Sequence, residues 1–110
     1  MKLTNTNNLL IPKEKLIDYV LSKTHAIGKF KAKFFRSLGF DETNVSIFEK
    51  ALSKIARSQE IVDVQSSSYG TKYIIDGEIK TPREKLVKVR TVWIVEKGQT
   101  KPRFITVYPV

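Results

Sequence analysis

The chain has 110 residues, a net charge of +9 and no cysteine, and these values exclude several classes of protein. A chain of this length forms one domain, residues 1–110, with a real hydrophobic core. The hydrophobic fraction of 41% is typical of globular proteins rather than disordered ones. The absence of cysteine excludes a disulfide scaffold, a thiol nucleophile and a cysteine-based zinc site. The single histidine has no acidic cluster beside it, so we expect no metal and no other cofactor.

The start of the chain is polar. Residues 1–11 begin MKLTNTNN, which lacks the apolar stretch of a signal peptide and predicts an irregular lead-in. No apolar run approaches the roughly 20 residues that a membrane-spanning helix needs. These features favour a cytoplasmic protein that does not insert into a membrane.

Helical patterns occupy the first half of the chain. Pro12 suits the first turn of a helix, and the apolar spacing after it predicts a helix over about residues 12–22. Thr24 is a candidate N-cap for a second helix, which runs to about residue 38. A third helix is expected over about residues 44–58, after the capping residues of the segment FDETN.

The second half of the chain changes to the two-residue period of strands. The predicted strands are EIVDVQ, YGTKYIIDGEI, KLVKVRTVWIVEK and RFITVYPV. The connections between them are short, so an antiparallel meander is the simplest pairing. The sequence therefore predicts an α+β domain, with three N-terminal helices packed on one face of a four-stranded antiparallel sheet.

Each of the last two strands mixes polar and apolar residues. Strict alternation places Lys88, Arg90, Val92 and Ile94 on one face and Val89, Thr91, Trp93 and Val95 on the other. In the last strand it places Phe104, Thr106 and Tyr108 on one face and Arg103, Ile105 and Val107 on the other. Such mixing is typical of the edge of a cleft and also of an ordinary sheet end.

Positive charge is concentrated in two segments. Residues 21–40 contain five basic residues and no acidic one, and residues 80–103 contain eight basic residues beside Glu84 and Glu96. An excess of this kind favours an anionic partner, either a nucleic acid, an acidic protein or an anionic membrane. The membrane is the least favoured, because the basic helix has an aromatic stripe that it is expected to bury.

The one histidine, His25, lies inside the first basic segment. Lys23, Lys29, Lys31 and Lys33 surround it in the sequence, and a helix start is predicted beside it. Positive neighbours and a helix N-terminus both favour the neutral imidazole, the form that a general base requires. A lone histidine at this position is as often an ordinary residue of a first helical turn.

Common catalytic signatures are missing from the sequence. The segment SSSYG lacks the pattern of a phosphate-binding P-loop, and no nucleophile elbow, zinc-protease or EF-hand pattern occurs.

A set of motifs spread over nearly the whole chain resembles an uncharacterised family of small bacterial proteins. The motifs are H-x-x-G-x-x-K-A-x-F-F…L-G-F, Y-G-x-x-Y, R-T-x-W-I and P-R-x-x-T-x-Y. They fall here on His25, Gly28, Lys31, Ala32, Phe34, Phe35, Leu38, Gly39, Phe40, Tyr69, Gly70, Tyr73, Arg90, Thr91, Trp93, Ile94, Pro102, Arg103, Thr106 and Tyr108. The resemblance implies a toxin-type domain, which in that family often stands beside a small partner gene.

The order of elements is also similar to the barnase–EndoU–colicin–RelE group of ribonucleases. That resemblance implies a small, metal-independent enzyme with its polar residues on the sheet and on a preceding helix. It is a likeness of architecture, which by itself is weak support for a function.

The polar residues of the motifs have the chemistry that RNA cleavage by the ribose 2′-OH needs. We predict His25 as the general base, Arg90, Arg103 and Lys31 as phosphate-binding groups, and Thr106 and Tyr108 as residues that orient the phosphate or relay a proton. The predicted substrate-binding residues are Lys29, Lys33, Tyr69, Thr91 and Trp93. Trp93 fits the core at least as well as a base-stacking role.

Two other functions explain the same charge. A nucleic-acid-binding module without catalysis needs the basic surface but not His25. An interaction protein that binds an acidic partner needs neither RNA nor His25. A small acidic antitoxin or immunity protein is an expected partner of a basic toxin as well, so this partner is compatible with more than one of the three functions.

Overall fold

The computed structural model describes residues 1–17 and 29–110, and of residues 29–31 it describes the backbone alone. Within these residues the chain forms a short 3-10 turn at Thr6–Asn8, three helices and four strands. The helices are α1 (Lys13–Lys15), α2 (Lys29–Ser37) and α3 (Val45–Ser58), and the strands are β1 (Ile61–Ser67), β2 (Gly70–Lys80), β3 (Leu86–Glu96) and β4 (Arg103–Pro109). The predicted α+β class and the order of helices and strands are confirmed for the described part of the chain.

The helix boundaries agree with the sequence patterns wherever the structure describes them. α1 begins directly after Pro12, and Asn44 is the N-cap of α3. α2 ends at Ser37, one residue before the predicted end. The predicted continuation of the first helix to residue 22, the Thr24 cap and His25 all lie outside the described residues.

The sheet is an antiparallel meander in the order β1-β2-β3-β4, as predicted. Short turns between sequential strands make this pairing the simplest one, because each strand folds back directly on the last. The register places Asp76 opposite Arg90 and Arg90 opposite Tyr108. One end of the sheet carries both the β1–β2 turn and the β3–β4 turn, and we call it the turn end.

α3 packs on one face of the sheet and forms the core there. Its buried residues are Val45, Phe48, Leu52, Ile55 and Ala56, and they belong to the same cluster as Ile75, Ile79, Val89, Trp93, Phe104 and Val107 of the sheet. α2 joins this core through Phe35, whose ring lies 5.1 Å from that of Phe48. Because helical residues three and four apart share one side, a single stripe of α3 covers the sheet.

A bulge in β4 overturns the predicted alternation of its side chains. Val92 pairs with Thr106, but the next residue, Trp93, pairs with Phe104, so Ile105 is an extra residue in β4. Phe104 therefore lies on the α3 side of the sheet and not on the face of Thr106. The placement of Phe104 with Thr106 and Tyr108, predicted from strict alternation, is wrong.

The same bulge moves Arg103 to the face that points away from α3. Residues directly opposite in an antiparallel pair share a face, and Arg103 lies opposite Ile94. Arg90, Arg103, Thr106 and Tyr108 consequently lie on one face, which we call the polar face.

A close contact between α3 and β2 gives a test of this packing. A Cβ atom placed on Gly77 would lie 2.8 Å from Cγ1 of Ile55, which is closer than side-chain atoms pack. We expect Gly77→Ala to lower the free energy of unfolding by about 1–3 kcal/mol through overpacking. Urea denaturation measures this change. In an Ile55→Ala background the obstructing atoms are removed and the cost of Gly77→Ala should fall clearly, whereas an equal cost in both backgrounds would contradict the contact.

Candidate functional site

Four of the predicted catalytic residues lie together on the polar face, on two neighbouring strands. Arg90 lies opposite Tyr108, and Thr106 and Arg103 follow towards the turn end, opposite Val92 and Ile94. They are brought together by the antiparallel pairing of β3 with β4 and by the bulge at Ile105. These residues come from two separate sequence motifs, and the pairing of β3 with β4 brings them close together in space.

The side chain of Arg90 is held by a carboxylate on the neighbouring strand. Its Nε donates to Oδ1 of Asp76 at 2.8 Å, and its Nη2 donates to Oδ2 at 2.9 Å. This two-pronged hydrogen bond lowers the pKa of Asp76 and raises the pKa of Arg90, since each charge stabilises the other. Tyr108 also interacts with the Arg90 guanidinium. Arg90 is therefore fixed in direction while its side chain stays partly exposed.

Arg103 has a similar arrangement at the turn end. Its Nε and Nη2 both donate to Oε1 of Glu96, at 2.8 and 2.5 Å. The backbone beside it is held by the N-terminal segment, because Leu10 pairs with Arg103 in a parallel bridge. That pairing places α1 near β4, and Lys15 lies close enough to Arg103 for the two charges to interact. The pKa of Lys15 is lowered, mainly by burial and secondarily by the positive charge of Arg103.

The two arginines lie at different positions along the polar face. Arg90 and the partner of Arg103, Ile94, are four residues apart on β3, which is about 13 Å at the usual rise of a strand. Each guanidinium is also turned to its own carboxylate, Asp76 across the sheet and Glu96 towards the turn end. The two guanidinium groups therefore occupy separate positions on the polar face and do not form one clamp in this arrangement.

Two of the predicted substrate-binding residues are in the core. Thr91 and Trp93 are fully buried on the α3 side of the sheet. The Thr91 hydroxyl donates to the carbonyl of Ile75 at 2.7 Å and accepts from Nε1 of Trp93 at 2.8 Å. A buried indole cannot stack on a base, so the substrate-binding role predicted for Thr91 and Trp93 is wrong. Within the R-T-x-W-I motif, these two residues stabilise the core.

The other predicted residues are placed less completely. Tyr69 stands exposed in the β1–β2 turn, and Lys33 is exposed on α2. His25 lies outside the described residues, as do the side chains of Lys29 and Lys31. The roles predicted for these three residues therefore stay predictions.

The acidic partners of both arginines, and the nearby Lys15, were not predicted from the sequence. Asp76 and Arg90 are 14 residues apart, and the antiparallel register of the β2–β3 hairpin was the one signal that pairs them. Lys15 had no sequence signal, since a tertiary contact of the N-terminal segment brings it to β4.

Two further findings apply to the described part of the chain. In residues 1–17 and 29–110 no three histidine, aspartate or glutamate side chains are grouped so as to hold a metal ion. No helix in those same ranges has both the length and the apolar character to cross a membrane.

Comparisons with known proteins identify a family and a shared fold. The sequence pattern of the family described as "Domain of unknown function (DUF6883)" matches residues 2–110. No curated protein is significantly similar to the chain. Among solved structures, the chain resembles part of a contact-dependent growth inhibition toxin–immunity protein complex from Klebsiella pneumoniae 342, with a TM-score of 0.76 and 21% sequence identity. That match covers 94% of this chain and 95% of the other, and at this identity it shows a common fold.

The Asp76–Arg90 pair makes stability depend on pH. A carboxylate whose pKa is lowered in the folded state stabilises that state above its unfolded pKa of about 3.9 and loses this effect as the pH falls through the folded value. We expect Asp76→Asn to be destabilising at pH 7, with a difference from wild type that shrinks below about pH 4. Urea denaturation from pH 7 to 2.5 measures it. A difference that is constant over this range would contradict the role of the ion pair.

The buried hydroxyl of Thr91 gives a second test. Thr91→Val keeps the shape but leaves the Trp93 indole N–H and the Ile75 carbonyl without this partner, so we expect a loss of about 1–3 kcal/mol in unfolding free energy. Thr91→Ser retains the hydroxyl and should cost less than Thr91→Val. The reverse order in thermal or urea denaturation would show that the methyl group, and not the hydroxyl, matters at this position.

Proposed function

The chain belongs to the family described as a domain of unknown function (DUF6883), and we propose that it is a toxin-type domain that cleaves RNA without a metal ion. The observation that carries this proposal is the gathering of Arg90, Arg103, Thr106 and Tyr108 on the polar face. Guanidinium, hydroxyl and phenol groups on a rigid sheet are suited to bind phosphates and to stabilise charge that develops on one of them.

The proposed reaction is a transfer within the RNA chain. His25 accepts the proton of a ribose 2′-OH, the 2′ oxygen forms a bond to the adjacent phosphorus, and the bond from phosphorus to the 5′ oxygen breaks. The leaving 5′ oxygen takes a proton, for which Tyr108 or Thr106 is the candidate donor or relay. The products are a 2′,3′-cyclic phosphate and a free 5′-hydroxyl.

Arg90 is the group best placed to stabilise the extra negative charge on phosphorus. Asp76 fixes two of its donors, so the guanidinium is oriented before substrate binds and loses less freedom on binding. Lys31 would add positive charge from α2. Arg103 lies about two rows of side chains away and is assigned to a neighbouring phosphate.

A toxin-type role also implies a protective partner. The net charge of +9 suits a small acidic antitoxin or immunity protein, which would cover the basic surface. The solved structure of similar fold is described as a complex of a toxin with its immunity protein, which supports a partner of this kind.

One observation favours a second candidate function. Both arginines of the polar face are already paired with carboxylates, which weakens their electrostatic attraction for a phosphate. A domain that binds RNA or an acidic protein without catalysis accommodates such pairs, and it leaves His25 without a role.

An RNA cleavage assay in excess chelator tests the proposal. We expect cleavage by wild type that leaves 2′,3′-cyclic ends, a loss of about 10²–10⁴-fold in rate for His25→Ala, and a loss of about 10²–10³-fold for Arg90→Ala. The matched control is Lys54→Ala, which removes an exposed charge from α3, on the other side of the sheet. This variant should cleave RNA like wild type.

The stability of each variant has to be measured in parallel, because Arg90→Ala leaves Asp76 unpaired. RNA binding without cleavage, unchanged by His25→Ala, would replace the enzyme with the binding module. Neither cleavage nor binding would direct the basic surface to a protein partner.

A further inference from the structure

The turn end of the polar face has the groups that hold one nucleotide. We propose that Tyr69, Lys72 and Gln65 form a subsite for another nucleotide of the same single-stranded RNA, in the row of side chains that contains Arg103, with Tyr69 stacking on the base. This inference rests on the proposed function, since it names how the same face would hold the rest of the RNA. Neither Lys72 nor Gln65 was among the residues predicted from the sequence.

The register aligns the subsite with Arg103 in one row across all four strands. Gln65 lies opposite Lys72, Lys72 opposite Ile94, and Ile94 opposite Arg103. These four side chains share the polar face, at the strand spacing of about 4.8 Å. The row therefore presents an amide, an ammonium, an apolar side chain and a guanidinium in sequence, ending beside Lys15.

Tyr69 is 80% exposed, although hydrogen bonds hold its backbone. The Tyr69 carbonyl accepts from the Lys97 N–H at 2.9 Å, and its own N–H donates to Oγ of Ser67 at 3.2 Å. The Ser67 hydroxyl in turn donates to the carbonyl of Gly70 at 3.2 Å. An exposed aromatic ring contributes little to folding, whereas a ring on a rigid turn is a ready stacking surface for a base.

Gly70, the residue that follows Tyr69, is held by a close contact with the end of β3. Gly70 has a φ of 151°, and a Cβ atom at this position would lie 2.4 Å from the carbonyl oxygen of Val95. A side chain cannot be accommodated there, so glycine at this position allows β2 to begin directly beside β3, where Gly70 pairs with Glu96. The position of Tyr69 relative to Lys72 is thus set before any ligand binds.

A depression of about 420 Å³ lies between these groups, lined by Gln65, Ser66, Ser67, Tyr69, Lys72 and Ile94. That volume is within the range of sites for small organic ligands, roughly 300–1,000 Å³. Ile94 supplies an apolar wall, and Lys72 can bind a phosphate. Gln65 Nε2 donates to Oδ2 of Asp63 at 3.3 Å, and the remaining N–H and the carbonyl oxygen of this amide can still donate to and accept from a base edge.

Further positively charged side chains lie along the same row, beyond the depression. At the turn end, Lys72 lies on one side of Ile94, and Arg103, which is paired with Glu96, lies on the other side, next to Lys15. A single-stranded nucleic acid combines bases that stack with regularly spaced negative charges, and a cationic row beside an aromatic ring matches both. An acidic peptide would use the cations but has no need of the exposed ring, which is why we commit to RNA.

Binding of an RNA that cannot be cut separates this subsite from catalysis. The probe is a fluorescent 2′-O-methyl octanucleotide of mixed sequence, whose 2′ oxygen has no proton to lose, and anisotropy at several salt concentrations gives its affinity. The proteins are full-length wild type, Tyr69→Ala, Tyr69→Phe and Lys72→Ala, with Lys54→Ala as the charge-matched control on α3. Tyr69 and Lys72, the two substituted residues of the subsite, are exposed, so we expect these variants to fold.

The expected results differ for each variant. Tyr69→Ala should weaken binding between about fivefold and a hundredfold, while Tyr69→Phe, which retains the ring, should stay within about twofold of wild type. Lys72→Ala should reduce the slope of log affinity against log salt by about 0.7, the value for one phosphate contact on a single strand. Lys54→Ala should leave both affinity and slope unchanged.

The outcomes distinguish this inference from the proposed function. If the variants at Tyr69 and Lys72 bind like wild type, or if wild type does not bind the probe at low salt, the subsite is wrong. If binding depends on both residues but natural RNA is never cut, the subsite stands and the ribonuclease proposal fails. If natural RNA is cut and the subsite variants cut and bind like wild type, the ribonuclease proposal stands without the subsite.

Discussion

The register of β3 between β2 and β4 is the constraint on which the polar face depends. Each residue of β3 is placed opposite one residue on either side, so a shift by one position would exchange the two faces of the strand. The bulge at Ile105 applies such a shift to one part of β4 alone. It sends Phe104 into the core and Arg103 to the opposite face, so that one irregularity serves both packing and the site.

The ion pairs on the polar face have two opposed effects on anion binding. Asp76 and Glu96 reduce the positive potential of the arginines that they contact. They also hold each guanidinium in one direction, which lowers the entropy cost of binding a phosphate. The large net charge of the chain supplies long-range attraction in either case, because it sums over the whole surface and not over these pairs.

RNA and a protective protein would compete for the same surface in a toxin-type domain. The row from Gln65 to Arg103, with Tyr69 beside it, is contiguous with the face that carries Arg90. An acidic inhibitor that covers this row would block substrate without contact to the reacting groups.

The amino-acid sequence by itself determined the class of the fold and nearly all element boundaries in the described residues. Helical and strand periods are local, so α3 and the strands β1 to β4 could be read within about two residues. The residue types of the candidate site were also legible, since Arg90, Arg103, Thr106 and Tyr108 stand out as polar groups in apolar strands.

Tertiary structure alone decided which of these residues face the solvent and which neighbours they have. Alternation along β3 already separated Thr91 and Trp93 from Arg90, but only the packing of α3 decided that their face is the core and the face of Arg90 is exposed. The bulge at Ile105 and the approach of Lys15 to Arg103 depend on contacts between segments distant in sequence. Such contacts are set by packing of the whole domain, and no local pattern of residues encodes them.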